Sequence, residues 1–147
     1  MVVSHYIKMY IFYIMIIYID GVFDLLHIGH IESLKKAKAL GDTLYVGLID
    51  DETATGYKRK PIINEEDRYS LLKELKVVDK VIHHAPLKIT REFIKEHNID
   101  LVVHGFSSQE DKDNQIKKCF GDVLDIFKEI DYHKGISTTD IIKRLMS

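Results

Sequence analysis

Two histidines three residues apart, His27 and His30, with Gly29 between them, are the residues of this chain best spaced to do chemistry. The run before them, Ile14-Met15-Ile16-Ile17-Tyr18-Ile19, is uninterrupted and rich in β-branched side chains, as a buried strand is. After them, Ile31, Leu34, Ala37 and Leu40 recur at helical spacing. The stretch therefore reads as strand, loop, helix, and ligands of open α/β sheets bind where such loops leave the carboxyl ends of strands. Residues three apart share a helix face, so both imidazoles can point one way from the first turn. Free backbone N–H groups and the helix dipole attract anions there, and Gly29 lets a phosphate come close to the backbone. A second helix start lies far downstream in Gly135-Ile136-Ser137-Thr138-Thr139-Asp140, where Ser137 is a natural N-cap and Asp140 its answering acid.

His27-Ile28-Gly29-His30 resembles the HxGH signature of the nucleotidyltransferase superfamily. The wider string Asp20-Gly21-Val22-Phe23-Asp24-Leu25-Leu26-His27-Ile28-Gly29-His30 resembles the cytidylyltransferases that activate phosphocholine, phosphoethanolamine or glycerol 3-phosphate. The resemblance implies a Rossmann-like parallel sheet of order 3-2-1-4-5. It implies that His27 and His30 stabilise charge on the α-phosphate, with no covalent intermediate, and that Gly21, Val22, Phe23 and Gly29 lie against the nucleotide. Lys58 resembles the family lysine that contacts the α-phosphate and the acceptor's phosphate, although Arg59 and Lys60 stand beside it. Glu66-Asp67-Arg68-Tyr69 resembles an E-x-R-Y segment whose arginine lies near the triphosphate, a role suited to the guanidinium fork. Gly135, Ile136, Ser137, Thr138 and Thr139 match the family's GIST(S/T) motif, which implies that this helix start holds the β- and γ-phosphates. Mg²⁺ is expected with the CTP phosphates, and no metal site of the protein's own is expected.

On the acceptor side, Asp20 precedes Gly21 as in the choline and ethanolamine enzymes, and an ammonium calls for a carboxylate or an aromatic face. His104 matches a histidine of the same group. Ala85-Pro86-Leu87 lacks the aromatic residue often found there, which leans the expectation toward phosphoethanolamine, with phosphocholine next. Two departures stand out: Tyr132 and His133 replace the family's Arg-Thr before the GIST segment, leaving CTP against ATP open, and Phe106-Ser107-Ser108 replace the aspartates usual after the fourth strand. The alternative expectations are a cytidylyl- or adenylyltransferase acting on glycerol 3-phosphate or another phosphorylated small molecule, and a nucleotide-binding regulatory module without turnover. Lys76-Val77-Val78-Asp79-Lys80-Val81 resembles the family's R-Y-V-D-E-V stretch at a two-fold interface, which implies a homodimer.

Composition narrows the field. A net charge of −2 over 147 residues supplies no basic field for nucleic acid. The single cysteine, Cys119, excludes an internal disulfide framework and suits a reducing, cytoplasmic setting; it reads as a half-buried helix residue. The apolar run from Met9 to Ile19 has eleven residues, too few to span a bilayer at about 20. It leads straight into the active-site loop, so its second half is expected to be the first strand. Residues 1–8 are expected to be an N-terminal extension to one domain filling 1–147, with Met9 or Met15 nearer the ancestral start.

The elements that must position these residues alternate. The sequence predicts a helix over 29–40 stopped by Gly41, a strand over 43–49, a polar loop carrying Lys58, and a helix from Asn64 with Asp67 as its capping partner. A strand over 77–82, a helix from Thr90 to about His97, a strand over 100–104, a polar segment over 105–113, a fifth strand over 123–127 and the final helix follow. Such alternation calls for an α/β fold: a five-stranded parallel sheet with helices on both faces.

Overall fold

The computed structural model describes residues 14–147. The expectations for residues 1–8 and for a start at Met9 lie outside the described residues. Five parallel strands form one sheet in the order β3-β2-β1-β4-β5. They are β1 (Ile16–Gly21), β2 (Thr43–Leu48), β3 (Lys80–His83), β4 (Leu101–His104) and β5 (Phe127–Glu129). Among the described residues six α-helices accompany them: α1 (Ile28–Lys38), α2 (Asp51–Tyr57), α3 (Glu65–Lys73), α4 (Arg91–His97), α5 (Gln109–Gln115) and α6 (Thr138–Met146).

The alternation of side chains along a strand assigns the two faces. Ile17 and Ile19 of β1, Leu44, Val46 and Leu48 of β2 and Val103 of β4 form one core with Leu34 and Ala37 of α1 and Leu72 of α3. Tyr18 and Val102 point the other way, into a second core with Phe93 and Ile94 of α4, Phe120 and Val123. Helices thus cover both faces, and Ile17, Leu34, Leu44, Val46 and Val102 are fully buried.

Several boundaries move from their expected places. The third strand begins at Lys80 rather than residue 77, because the Asp79 carboxylate accepts from the Leu44 amide (2.7 Å) and ties the chain to β2 before pairing starts. Residues 123–126, expected in the fifth strand, coil instead: a π-helical turn at Ile116–Phe120 leads into 3₁₀ structure over Gly121–Ile126, and β5 follows at Phe127. Val123 and Phe120 are buried there as turn residues, so an apolar run signalled burial rather than extension. Two helices arise where polar loops were expected. Asp50 caps α2 by accepting from the Thr53 amide, and Ser108 caps α5 by accepting from the Asp111 amide. Cys119 is half-buried within the π turn.

Candidate active site

Two helix starts and the carboxyl ends of β1 and β4 together line the site. His27 is the N-cap of α1 rather than a first-turn residue. Its Nδ1 accepts from the Gly29 amide (3.0 Å), and His30 Nδ1 accepts from the His27 amide (3.1 Å). The two imidazoles thus form a reciprocal capping box of the kind usually made by Ser and Glu. An amide only donates, so each Nδ1 keeps its lone pair and each neutral ring carries its proton on Nε2. The rings lie 3.9 Å apart. Burial, with the charge of Lys58 and the neighbouring His27, lowers the His30 pKa to about 4; burial also lowers that of His27. Both are therefore neutral N–H donors near pH 7.

The second helix start converges on the first. Ser137 caps α6, accepting from the Asp140 amide (3.1 Å). Thr138 Oγ1 donates to the Asp24 carbonyl (2.9 Å) and stands 3.4 Å from His27 Nε2, whose proton it can accept. A Cβ on Gly29 would come within 3.1 Å of the Ile136 carbonyl and 2.8 Å of the His27 ring. The small residue expected to admit a phosphate thus also admits the α6 segment.

The loop from β1 to α1 is strained and heavily anchored. Phe23 (φ 53°) and Leu25 (φ 49°) occupy the left-handed region that side chains seldom adopt. Asp24 is 2 % exposed, and its carboxylate accepts from the Ile62 and Ile63 amides and from Arg59. Burial opposes its ionisation, but those two amides and the Arg59 guanidinium outweigh burial and hold its pKa below the ordinary value. Arg68, expected beside the triphosphate, is 1 % exposed and does not line the cavity. It donates to the carbonyls of Val22, Ile49 and Ile63 and pairs with Asp51 (2.6 Å). In this structure its donors tie the Val22 carbonyl of that loop to the segments at Ile49–Asp51 and Ile63, so it positions the loop from behind.

At the carboxyl end of the sheet, Tyr18 pairs with Val102 in register. Two residues further along each strand, Asp20 and His104 emerge on the same face, with Asp20 Oδ1 3.8 Å from His104 Nδ1. Burial pushes the Asp20 carboxyl up to about 7 and the His104 imidazole down to about 4. His104 Nδ1 is buried with no hydrogen-bond partner.

These parts border one cavity of about 520 Å³, within the ~300–1,000 Å³ usual for small-molecule sites. Asp20, Gly21, Val22, Phe23, His27, Gly29, His30, Lys58 and His104 all reach it, as do Ile136, Ser137, Thr138 and Thr139. Lys58, the C-cap of α2, is exposed on its wall with Arg59. Gly135 does not reach it; a Cβ there would lie 2.9 Å from His133 Nε2, so Gly135 makes room for that ring. Leu87 packs against Ile49, Ala54 and Ala85, away from the cavity. Sequence reasoning missed Asp111 and Ser107, which line the far wall; the Ser108 cap signal before Asp111 could have revealed the helix that carries them. Tyr132 and His133, noted only as departures, also line it.

Neutral N–H donors, two helix starts and Lys58 around one cavity can hold a polyphosphate and stabilise charge on a reacting phosphorus. The chain is 36% identical over 134 residues to an ethanolamine-phosphate cytidylyltransferase of Arabidopsis thaliana, a match covering 88% of this chain and 32% of that protein. It is 38% identical over 134 residues to choline-phosphate cytidylyltransferase 2 of the same organism, covering 88% and 44%. The chain thus spans less than half the length of these curated relatives. A lipopolysaccharide core biosynthesis protein of Thermoplasma volcanium shares its fold with a TM-score of 0.66 and 32% identity, over 82% of this chain and 99% of that one. Residues 18–144 match the family described as cytidylyltransferase-like, and with this fold and these helix starts the chain belongs to that family.

Proposed function

We propose that this chain transfers CMP from CTP to a phosphorylated amino-alcohol, phosphoethanolamine first and phosphocholine second, releasing pyrophosphate. The observation that carries the reading is the distribution of charge in one cavity: phosphate-binding helix starts at one end and a buried carboxyl, Asp20, at the other. The relatives named for ethanolamine-phosphate and choline-phosphate cytidylyl transfer support it. In this reading α1 and α6 receive the triphosphate, with Ser137, Thr138 and Thr139 toward its β- and γ-phosphates. His27 and His30 donate from Nε2 to the α-phosphate as negative charge builds. Lys58 draws the acceptor's phosphate toward that phosphorus, and the acceptor oxygen displaces pyrophosphate in line. An arriving ammonium draws Asp20 into its ionised form, with His104 beside it.

Mg²⁺ belongs to this reading as a companion of the nucleotide. Among the cavity's carboxylates, both Asp24 oxygens are taken by Arg59, Ile62 and Ile63, and Asp111 accepts from Ser107 and Gln115. This donor set fits an ion held mainly by phosphates and water, not one caged by protein. When bound, Mg²⁺ neutralises charge on the phosphates.

Pyrophosphate release, measured with a panel of nucleotides and acceptors, tests the reading. CTP with phosphoethanolamine should give the highest kcat/KM, and a preference for ATP or for glycerol 3-phosphate overturns the assignment. The likeness to the lipopolysaccharide core biosynthesis protein, nearly all of whose length this chain covers, favours a second reading: nucleotidyl transfer to a different phosphorylated small molecule. A cytoplasmic homodimer paired through residues 76–81 completes the proposal. A dimeric mass in solution is expected at micromolar protein, and a monomer contradicts it. No helix among the described residues is long and apolar enough to cross a membrane.

A further inference from the structure

Outside the cavity, at the end of β3, two consecutive histidines and two carboxylates meet, and no step of the proposed transfer uses them. His83 Nε2 lies 2.9 Å from Glu65 Oε2, and His84 Nδ1 lies 3.6 Å from that same oxygen and 2.9 Å from Asp50 Oδ2. The ligand atoms of Glu65, His83 and His84 all fall within 4.8 Å of one another. Donors of a tetrahedral site with bonds of about 2.0–2.1 Å are about 3.3 Å apart, so modest side-chain closure suffices. From these distances we infer that Glu65, His83 and His84, with Asp50 beside the same His84 nitrogen, form a binding site for a divalent transition-metal ion of the Zn²⁺ class.

Three observations carry this beyond a surface ion pair. The donors come from different elements held in fixed relation: β3, the cap of α2 and the first residue of α3. Glu65 is oriented by a reciprocal pair of contacts, Asp51 N to Glu65 Oε1 and Glu65 N to Asp51 Oδ2, both 3.3 Å. His83 is stacked on the Tyr69 ring, 4.9 Å away, which fixes the direction of its nitrogen; the His84 ring, which lies parallel to it at 4.1 Å, turns out of that stack to meet an ion in its own plane. In the metal-free protein, hydrogen bonds link each imidazole to a carboxylate, and the bridging protons occupy the region a cation would take. Mixed imidazole and carboxylate donors select Zn²⁺, Co²⁺ or Ni²⁺ over Mg²⁺, so this site is chemically separate from a nucleotide's magnesium. A bound ion would clamp β3 to α2 and α3.

The test is a titration of the chelator-treated full chain with Co²⁺, read by visible absorption, and with Zn²⁺ in competition with a chromophoric chelator. Wild type should take up one ion with a rise in Tm, undisturbed by excess Mg²⁺. Glu65→Gln and His84→Asn should weaken binding about tenfold or more, whereas His97→Asn should leave it unchanged. Asn tolerates the left-handed backbone of His84 (φ 57°), and that side chain is 63% exposed, so this variant decides the matter if Glu65→Gln fails to fold. No Zn²⁺ uptake at about 100 µM, or full retention by His84→Asn, overturns the inference.

Discussion

The two ends of the cavity are built on opposite principles. At the end proposed for the nucleotide, the polar groups that shape the loop already have partners: His27 and His30 cap α1, Asp24 accepts three hydrogen bonds, and Arg68 fixes the Val22 carbonyl. At the end proposed for the acceptor, Asp20 and His104 are buried 3.8 Å apart, and His104 Nδ1 has no hydrogen-bond partner. Preorganised donors suit charge that develops during reaction, because they need not rearrange. A buried carboxyl whose pKa burial has raised to about 7 suits a cation that arrives with the ligand and completes the pair. The first end should therefore be stabilising and the second destabilising, and substitutions can separate them.

Removing Arg68 should break the rigid end most severely. Arg68→Ala leaves the carbonyls of Val22, Ile49 and Ile63 without their donor and Asp51 without its partner. A loss of about 3–5 kcal/mol is expected in denaturant unfolding. A loss under about 1 kcal/mol would show that the loop is not held this way.

The histidines should matter for rate. His27→Ala and His30→Ala should lower kcat by about 10²–10³-fold or more, with helical circular dichroism retained. Folded variants with near-wild-type rates would remove the imidazoles from the chemistry.

Asp20→Asn should have opposite effects on activity and stability. A charge-assisted hydrogen bond to an ammonium is worth about 1.5–3 kcal/mol, so kcat/KM for phosphoethanolamine should fall about ten- to a hundredfold with little change in KM for CTP. Asp20 titrates near 3.8 unfolded and near 7 folded, so its ionisation costs stability above pH 7 and nothing below pH 3.8. At pH 8 the variant should therefore be more stable than wild type by on the order of a few kcal/mol, and should melt higher. A lower Tm would mean that Asp20 braces the loop instead of waiting for a ligand.

The gentlest test is pH. His30 and His104 have folded pKa values near 4 against 6.5 unfolded, so the unfolded chain takes up their protons first as pH falls. Their contribution is complete above pH 6.5 and is lost toward pH 4. Asp20 runs the other way between pH 7 and 3.8 and offsets one of the two. Wild type should thus lose stability between pH 6.5 and 4, and Asp20→Asn should lose it more steeply. Parallel profiles would deny that Asp20 titrates in that window.

Local signals along the chain decided much of this architecture. Strand periodicity in Ile17-Tyr18-Ile19 and the caps at Asn64, Thr90 and Ser137 are decided within a few residues, and each element formed where those residues placed it. His27, His30, Ser137 and Thr138 were legible for the same reason: a helix start is a local feature. What the tertiary structure alone decided depends on partners far apart in the chain. Arg68 looked like a phosphate ligand until its guanidinium met a carbonyl 46 residues away, and Asp24 became an anchor only when the amides of Ile62 and Ile63 arrived. Residues 123–126 read as a strand, but they form a 3₁₀ turn in which Val123 alone is buried, and pairing with β4 starts at Phe127. Asp20 and His104, 84 positions apart, face each other only because β1 and β4 pair in the register that sets Tyr18 beside Val102. Periodicity and caps are encoded in neighbouring residues, whereas register, burial and the pKa values that burial shifts exist only after distant segments have packed.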